Sequence, residues 1–409
     1  MLPLAQIALK MFRYIPDNLS GVDRQQALAE EMKKLSMQEM ANLKSGFEKL
    51  LQMMRKANAS DLDLGGLAAN NKVWLRIYGE KKPIEQLGML SVDETDLLCQ
   101  SLLTEVQLEA LLKERNIDFS YEMGMNGTRM RWRGDIYFDI GHLALNMRAV
   151  EQKIRPFSQL GLHPYVAKKM SLAYEKQGLI LITGITGSGK STTLDSIIDA
   201  NNSVSNAHVI IIANPLENIH QSRKCIIRHR EVGRDVPSFV EGARQALRQD
   251  PDIIVVGEMR DAETISTTLE LTDTGHKVFS TLHTGSAIET LDRIIAECPV
   301  AAQVRIRNRL ADVLKIVISQ KLVPTINGKL TLAKEVLVVN SSVKAAIKNN
   351  NISEIYQMVH EGREMGMHTI EQDLFRLYKT HIISKDTAAN NANNKRRMAA
   401  LLEANVIGA

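Results

Sequence analysis

Aromatic residues are scarce, with Phe, Trp and Tyr together making up 4% of the 409 residues. Proteins that track single-stranded nucleic acid stack bases on aromatic side chains set among basic ones, and no such cluster occurs in this sequence. Charge of one sign is also lacking: 51 Lys and Arg stand against 47 Asp and Glu, for a net charge of +4. That balance leaves no polyanion footprint and leaves room only for a weak attraction to a membrane surface. Both observations argue against a nucleic-acid translocase. Cysteine is limited to Cys99, Cys225 and Cys298, with no C-x-x-C pair. A zinc ribbon and a thioredoxin-like motif are thereby excluded, and so few cysteines, in odd number, fit a reducing compartment. No apolar run reaches the roughly 18 residues of a membrane span. The first residues, Met1 to Arg13, lack a basic region ahead of their apolar ones, so they do not read as a signal peptide. The expectation is a cytoplasmic protein.

The length predicts two or three domains, and the 18 methionines suit helix-rich packing. Leu28, Met32 and Leu35, then Leu43, Phe47, Leu50 and Met54, recur at helical spacing and predict one or two helices packed within the molecule. From Ala59 to Arg148 a strand over Val73–Tyr78 ending at Gly79, a helical region over Asp93–Lys113, and strands at 119–123, 128–133 and 143–148 predict a small α+β domain. Residues 150–160 read as a linker. From Gly161 short apolar runs (179–183, 209–213, 253–256 and 278–281) alternate with helical stretches near 238–248, 262–272 and 287–295. This pattern predicts a parallel sheet flanked by helices, with a ligand site at the carboxyl ends of its strands. Leu310, Val313, Leu314 and Val317 predict a further buried helix, residues after 340 a peripheral helical bundle, and the Asn/Ala-rich stretch from Asn390 a frayed tail.

Gly184-Ile-Thr-Gly-Ser-Gly-Lys-Ser191 is a complete phosphate-loop motif, preceded by an apolar strand and followed by a helix start. A glycine-rich turn frees backbone N–H groups to wrap phosphate oxygens, and the helix N-terminus adds positive potential. Gly184, Thr186, Gly187, Ser188, Gly189, Lys190, Ser191 and Thr192 are therefore candidate ATP-binding residues. Lys190 is expected at the β- and γ-phosphates and Ser191 at Mg²⁺. The apolar run Ile253–Val256 leads into Gly257-Glu258, a Walker B arrangement that makes Glu258 the second candidate at Mg²⁺. Glu217, after the run Val209–Ala213, could polarise an attacking water. His276 and His283 bracket a strand seven positions apart, which is not a single-helix metal spacing. They are candidate sensors of nucleotide state.

These segments, in this order, resemble the type II/IV secretion ring ATPases. Gly184–Thr192 looks like their Walker A, Ala213-Asn-Pro-Leu-Glu217 their Asp box, Gly257-Glu-Met-Arg-Asp261 their Walker B, and Thr274-Gly-His276 with Thr281-Leu-His-Thr284 their His box. Ala59-Ser-Asp-Leu-Asp-Leu64 and Gly178–Gly184 also match, and the similarity runs over about residues 45–385. Within the superfamily the PilT-like pilus-retraction branch is most similar. The long N-terminal region and four-cysteine insertion typical of assembly ATPases of the PilB and GspE type are not seen, and Met365-Gly-Met-His-Thr-Ile-Glu-Gln-Asp-Leu374 also resembles the retraction branch.

The resemblance implies an α/β chain with a helical extension (1–44), a smaller α+β PAS-like N-terminal domain (45–150), a linker (151–160), a RecA-like P-loop ATPase domain (161–340) and a C-terminal helical region (341–409). It implies a homohexamer binding ATP and Mg²⁺, with ATP between the two domains, Glu217 as general base, Glu258 as Walker B acid, and Arg129, Arg131 and Arg148 as candidate arginine fingers. It further implies a cytoplasmic motor held at the inner membrane by a platform protein, with a paralogous ATPase as a further partner, powering retraction and twitching motility. Three departures qualify this. Ala213 and Asn214 replace two acids of the Asp box, Asp63 stands where the family has His, and Ser342-Val-Lys-Ala-Ala-Ile-Lys348 lacks the arginines and Asn of the segment tied to retraction. Two alternatives follow: an assembly or secretion motor, and a weakly hydrolysing ATP-binding ring subunit acting as adaptor to an active paralogue.

Overall fold

The computed structural model describes residues 2–16, 18–77, 80–84, 89–125, 128–150 and 154–407. The chain forms two units, Met1–Gln152 with Asn214–Ile219, and Lys153–Ala213 with His220–Ala409. No helix among the described residues is long and apolar enough to cross a membrane.

In the first unit, α1 (Leu2–Phe12), α2 (Gly21–Met32) and α3 (Met37–Lys56) precede β1 (Ala59–Gly65), β2 (Trp74–Ile77) and β3 (Glu80–Pro83). Then follow α4 (Val92–Ser101), α5 (Glu105–Glu114), β4 (Asn116–Met125), β5 (Thr128–Asp139) and β6 (His142–Ala149). The six strands make one antiparallel sheet in the order β3-β2-β1-β6-β5-β4. Ser36 starts α3 with a capping box, its hydroxyl accepting from the Glu39 N–H while the Glu39 carboxylate accepts from the Ser36 N–H. The stripe Leu43, Phe47, Leu50 and Met54 is buried against the sheet in the cluster that holds Trp132 and Ile136, and Phe47 meets Tyr121 edge-on at 5.5 Å. Leu4, Ile7, Met11 and Leu28 belong to that same cluster, and Met32 and Leu35 pack on it half-buried. A boundary at residue 44 therefore falls inside α3, whose one apolar stripe runs across it. The helical region expected over Asp93–Lys113 consists of α4 and α5, separated where Thr104 caps α5 through a capping box with Gln107. The expected strand end at Tyr78–Gly79 lies outside the described residues, as do residues 151–153 of the expected linker.

In the second unit, α6 (Pro164–Met170) leads to β7 (Gly178–Thr183), α7 (Lys190–Val204), β8 (His208–Ala213), β9 (Ile226–Glu231), α8 (Phe239–Ala246), β10 (Ile253–Val256), α9 (Ala262–Asp273) and β11 (Lys277–Leu282). It continues with α10 (Ala287–Ala296), α11 (Val300–Val313), β12 (Leu314–Pro324), β13 (Leu330–Val338), α12 (Ser341–Lys348), α13 (Ile355–Glu361), α14 (Ile370–Lys379), α15 (Lys385–Asn391) and α16 (Lys395–Ile407). The sheet order is β13-β12-β7-β11-β10-β8-β9, parallel except for β13. Every residue of β7, β10 and β11 is buried, as a parallel sheet covered on both faces requires. That includes Lys277, whose ammonium donates to the carbonyls of Lys169 and Glu175 at 2.7 Å each and whose pKa burial pushes down to about 7.

Two expectations are corrected here. The stripe Leu310–Val317 is not one helix: α11 ends at Val313, Leu314 turns to extended backbone, and Val317 sits in β12 beside Leu181 of β7. An apolar run of that length satisfies either period, and the open edge of β7 selects the strand. The tail from Asn390 is not frayed either. Ala392, Met398 and Leu402 are buried with Ile370, Leu374 and Leu377 of α14.

Candidate nucleotide site

The carboxyl ends of β7, β10 and β11 bring together the phosphate loop, Glu258 and His283. After Thr183 the chain turns through Gly184, at φ 150°, and Gly187, at φ 78°. These are backbone conformations that favour glycine. A Cβ on Gly184 would stand 2.4 Å from the Ser188 hydroxyl and 2.5 Å from the Gln320 carbonyl. Gly189 then precedes α7 without a side chain to accept the N–H groups of the first turn. Those donors, the helix dipole and the buried Ser188 hydroxyl, which has no hydrogen-bond partner, fit an anion. Lys190 lies over the loop, its ammonium donating to the carbonyls of Gly184 at 2.8 Å and Ile185 at 3.2 Å. Thr186, Ser191 and Thr192 are exposed.

Glu258 follows β10 by two residues. One of its oxygens accepts from Arg260 at 2.8 Å, and the other lies 3.5 Å from His283 Nε2. His283 Nδ1 is 3.4 Å from the Thr186 hydroxyl, so this imidazole bridges the phosphate loop and Glu258. Burial lowers the His283 pKa, Lys190 adds to that, and Glu258 opposes it. His276 is not in this cluster. It sits at the other end of β11, against the Thr274 hydroxyl at 2.9 Å and the Leu271 carbonyl at 3.1 Å. The six residues of β11 separate the two histidines.

Glu217 lies on the short segment Asn214–Ile219, which groups with the first unit although it falls within the expected 161–340 domain. Arg131 is 3% exposed and donates to the Leu216 carbonyl at 3.0 Å and to Glu122 at 3.2 Å. The side chains of Arg129 and Arg148 are exposed and pair with Glu122 and Asp61. Asp63 accepts from Asn146 at 2.6 Å and pairs with Lys81 at 2.9 Å. In α12, Lys344 and Lys348 share Asp312 at 2.6 and 2.8 Å.

Two residues near the loop had no sequence signal. Ser319 meets the Thr183 hydroxyl at 2.7 Å, and Gln320 donates to the Ser188 carbonyl at 2.9 Å. Both lie on β12, in the run whose apolar neighbours read as helix.

Residues 138–405 match the family described as type II/IV secretion system protein. The chain is 35% identical to the type IV pilus retractation ATPase PilT of Pseudomonas aeruginosa over 84% of its length and 97% of that protein. It is 32% identical to the type IV pilus ATPase PilU of the same organism over 87% of its length and 91% of that protein. Among solved structures, the pilus retraction motor PilT with bound ADP superposes with a TM-score of 0.75 at 35% identity, over 86% of this chain and 98% of that one. The Legionella pneumophila ATPase DotB superposes with a TM-score of 0.73 at 28% identity, over 84% and 93%. The chain belongs to the type II/IV secretion system protein family of ATPases and is a homologue of the pilus-retraction ATPases within it.

Proposed function

We propose that the chain is an ATP-hydrolysing motor, working as a homohexameric ring, that retracts a pilus-type fibre and so drives twitching motility. The observation that carries this reading is the joining of phosphate loop, Glu258 and His283 at the carboxyl ends of central strands of the sheet. The relatives named as retraction motors supply its direction of work.

Backbone N–H groups of Gly187–Thr192 and the Lys190 ammonium would hold the phosphates of ATP. The Ser191 hydroxyl and the Glu258 carboxylate, hard oxygen donors, suit Mg²⁺, which when bound would neutralise phosphate charge. Glu217 would accept a proton from the attacking water. Arg129 and Arg148, with exposed guanidinium groups, are the better candidates to meet charge developing on the phosphate. Arg131 is buried and suits holding the Glu217 segment. His283 would register occupancy of the loop through Thr186, whereas His276 is placed for another role. Turnover would then drive rigid-body rearrangement of the ring. The proposed setting is the cytoplasm, against an inner-membrane platform protein, beside a paralogous ATPase and without nucleic acid.

A second reading rests on Ala213 and Asn214, where the Asp box lacks two acids: a ring subunit that binds ATP, hydrolyses it weakly and serves an active paralogue. Deleting the gene and counting surface pili tests the direction of work. Excess pili with lost twitching supports retraction. Loss of pili points to an assembly motor instead, and unchanged pili and motility contradict both.

A further inference from the structure

We propose that Asn393 is a positioning residue for ATP turnover: its carboxamide ties the loop that presents His283 to the turn between α15 and α16, and makes hydrolysis depend on the docked C-terminal helices. The inference rests on the ATPase reading above.

Gln320 and Lys321 are consecutive on β12, so their side chains leave opposite faces of the sheet. Gln320 donates to the phosphate-loop carbonyl of Ser188 at 2.9 Å. Lys321 reaches the other way and donates to the Asn391 carbonyl at 3.0 Å and to Asn393 Oδ1 at 2.6 Å. Asn393 Nδ2 in turn donates to the Gly285 carbonyl at 3.1 Å. An ammonium only donates and a carbonyl only accepts, so these two partners fix which end of the Asn393 amide is which. The turn that carries Asn393 is itself held. Ala392 is buried, and the Asn394 N–H donates to the buried Glu371 at 2.7 Å.

Gly285 stands two residues after His283, whose own carbonyl accepts from Arg293 at 2.9 Å. The His283 ring then returns to the phosphate loop through Thr186. The contacts form a closed path from the phosphate loop through β12 and the α15–α16 turn to the His283 loop and back. Asn393 is the residue of the α15–α16 turn that reaches the His283 loop directly, beside the Lys321 contact with the Asn391 carbonyl. A displacement of about 1 Å at a reacting centre can cost about a hundredfold in rate, so release of Gly285 is expected to lower turnover while the phosphate loop still binds.

The test uses the full chain with Asn393→Asp, which keeps the acceptor for Lys321 and sets an acceptor against the Gly285 carbonyl, and Asn393→Ala as a second variant. Amide hydrogen exchange over residues 283–286 should speed up about tenfold in both variants. The kcat for ATP should fall about tenfold with KM within about twofold. Combined with His283→Ala, Asn393→Asp should add no further loss, because both act through one loop. Unchanged exchange over 283–286, or a kcat loss fully additive to that of His283→Ala, overturns the proposal. If the wild type turns over no more ATP than Lys190→Ala, the ATPase reading falls and exchange alone decides: faster exchange keeps the tether, and unchanged exchange removes it.

Discussion

Arg131 donates to the main-chain carbonyl of Leu216 at 3.0 Å, from a side chain that is 3% exposed. The residue beside Leu216 is Glu217, the proposed base, so a buried guanidinium fixes the backbone that carries it. Arg131→Ala leaves the Leu216 carbonyl without this donor and should cost about 1–3 kcal/mol of stability as well as turnover. Arg131→Lys should not restore turnover, because one ammonium cannot span Glu122 and Leu216 as a planar fork does. Arg129→Ala and Arg148→Ala should lower turnover with the thermal midpoint unchanged, since their side chains are exposed. Calorimetry beside phosphate-release assays checks this. An Arg131→Ala protein as stable and as active as wild type contradicts it.

The His283 imidazole should titrate below its ordinary value, because burial and Lys190 disfavour the cation. Both influences favour the neutral imidazole, which can donate from one ring nitrogen and accept at the other. Glu258→Gln removes the opposing carboxylate and should lower the midpoint further, whereas Lys190→Ala should raise it. Ring-proton NMR of the nucleotide-free protein reads these shifts. A midpoint above the ordinary value contradicts burial and Lys190 as the leading influences, and a midpoint that does not fall in Glu258→Gln counts against the bridge to Glu258.

Leu28→Ala should destabilise the first unit by about 2–5 kcal/mol, the usual cost of a large-to-small change in a core. Leu28 is wholly buried in the cluster shared with Phe47 and Trp132. A denaturation midpoint unchanged by the substitution would make the first helices an appendage.

The site was legible where chemistry is local. A phosphate loop declares itself in eight consecutive residues, and Glu258 and His283 stand just beyond apolar strands, where parallel sheets place functional groups. What stayed hidden is held by distance in sequence. Gln320 and Ser188 are 132 residues apart, and Asn393 and Gly285 are 108 apart. Neither asparagine nor glutamine marks a contact in a linear pattern. The end of α11 was unreadable because Leu310–Val317 fits a helix as well as a buried strand. The packed tail was masked by an Asn/Ala-rich composition, although Met398 and Leu402 lie four apart on one face of α16. Asn214–Ile219 groups with the first unit, where Arg131, far upstream, donates to the Leu216 carbonyl, and that contact has no local signal.

Glu335 should make stability depend on pH. It is buried on β13, accepts from the Ala287 N–H at 2.8 Å, and burial pushes its pKa up to about 7, with Glu371 adding to the shift. A folded-state value above the unfolded one means stability that is full below the unfolded pKa and lost as pH rises through about 7. Glu335→Gln keeps an acceptor for Ala287 without the charge. Its advantage over wild type should be near zero at the unfolded carboxylate value and grow to on the order of 2–3 kcal/mol above neutrality. Denaturation midpoints at several pH values test this. A constant difference, or one that shrinks as pH rises, contradicts it.

The central claim is that this chain hydrolyses ATP with a reduced Asp box. The most direct measurement is Mg²⁺-dependent phosphate release by the purified protein, with Lys190→Ala and Glu217→Ala beside it. The account predicts release by the wild type that disappears in both variants, while Glu217→Ala still binds ATP. Wild-type protein that binds ATP yet releases no more phosphate than the variants would contradict it and leave the adaptor reading in its place.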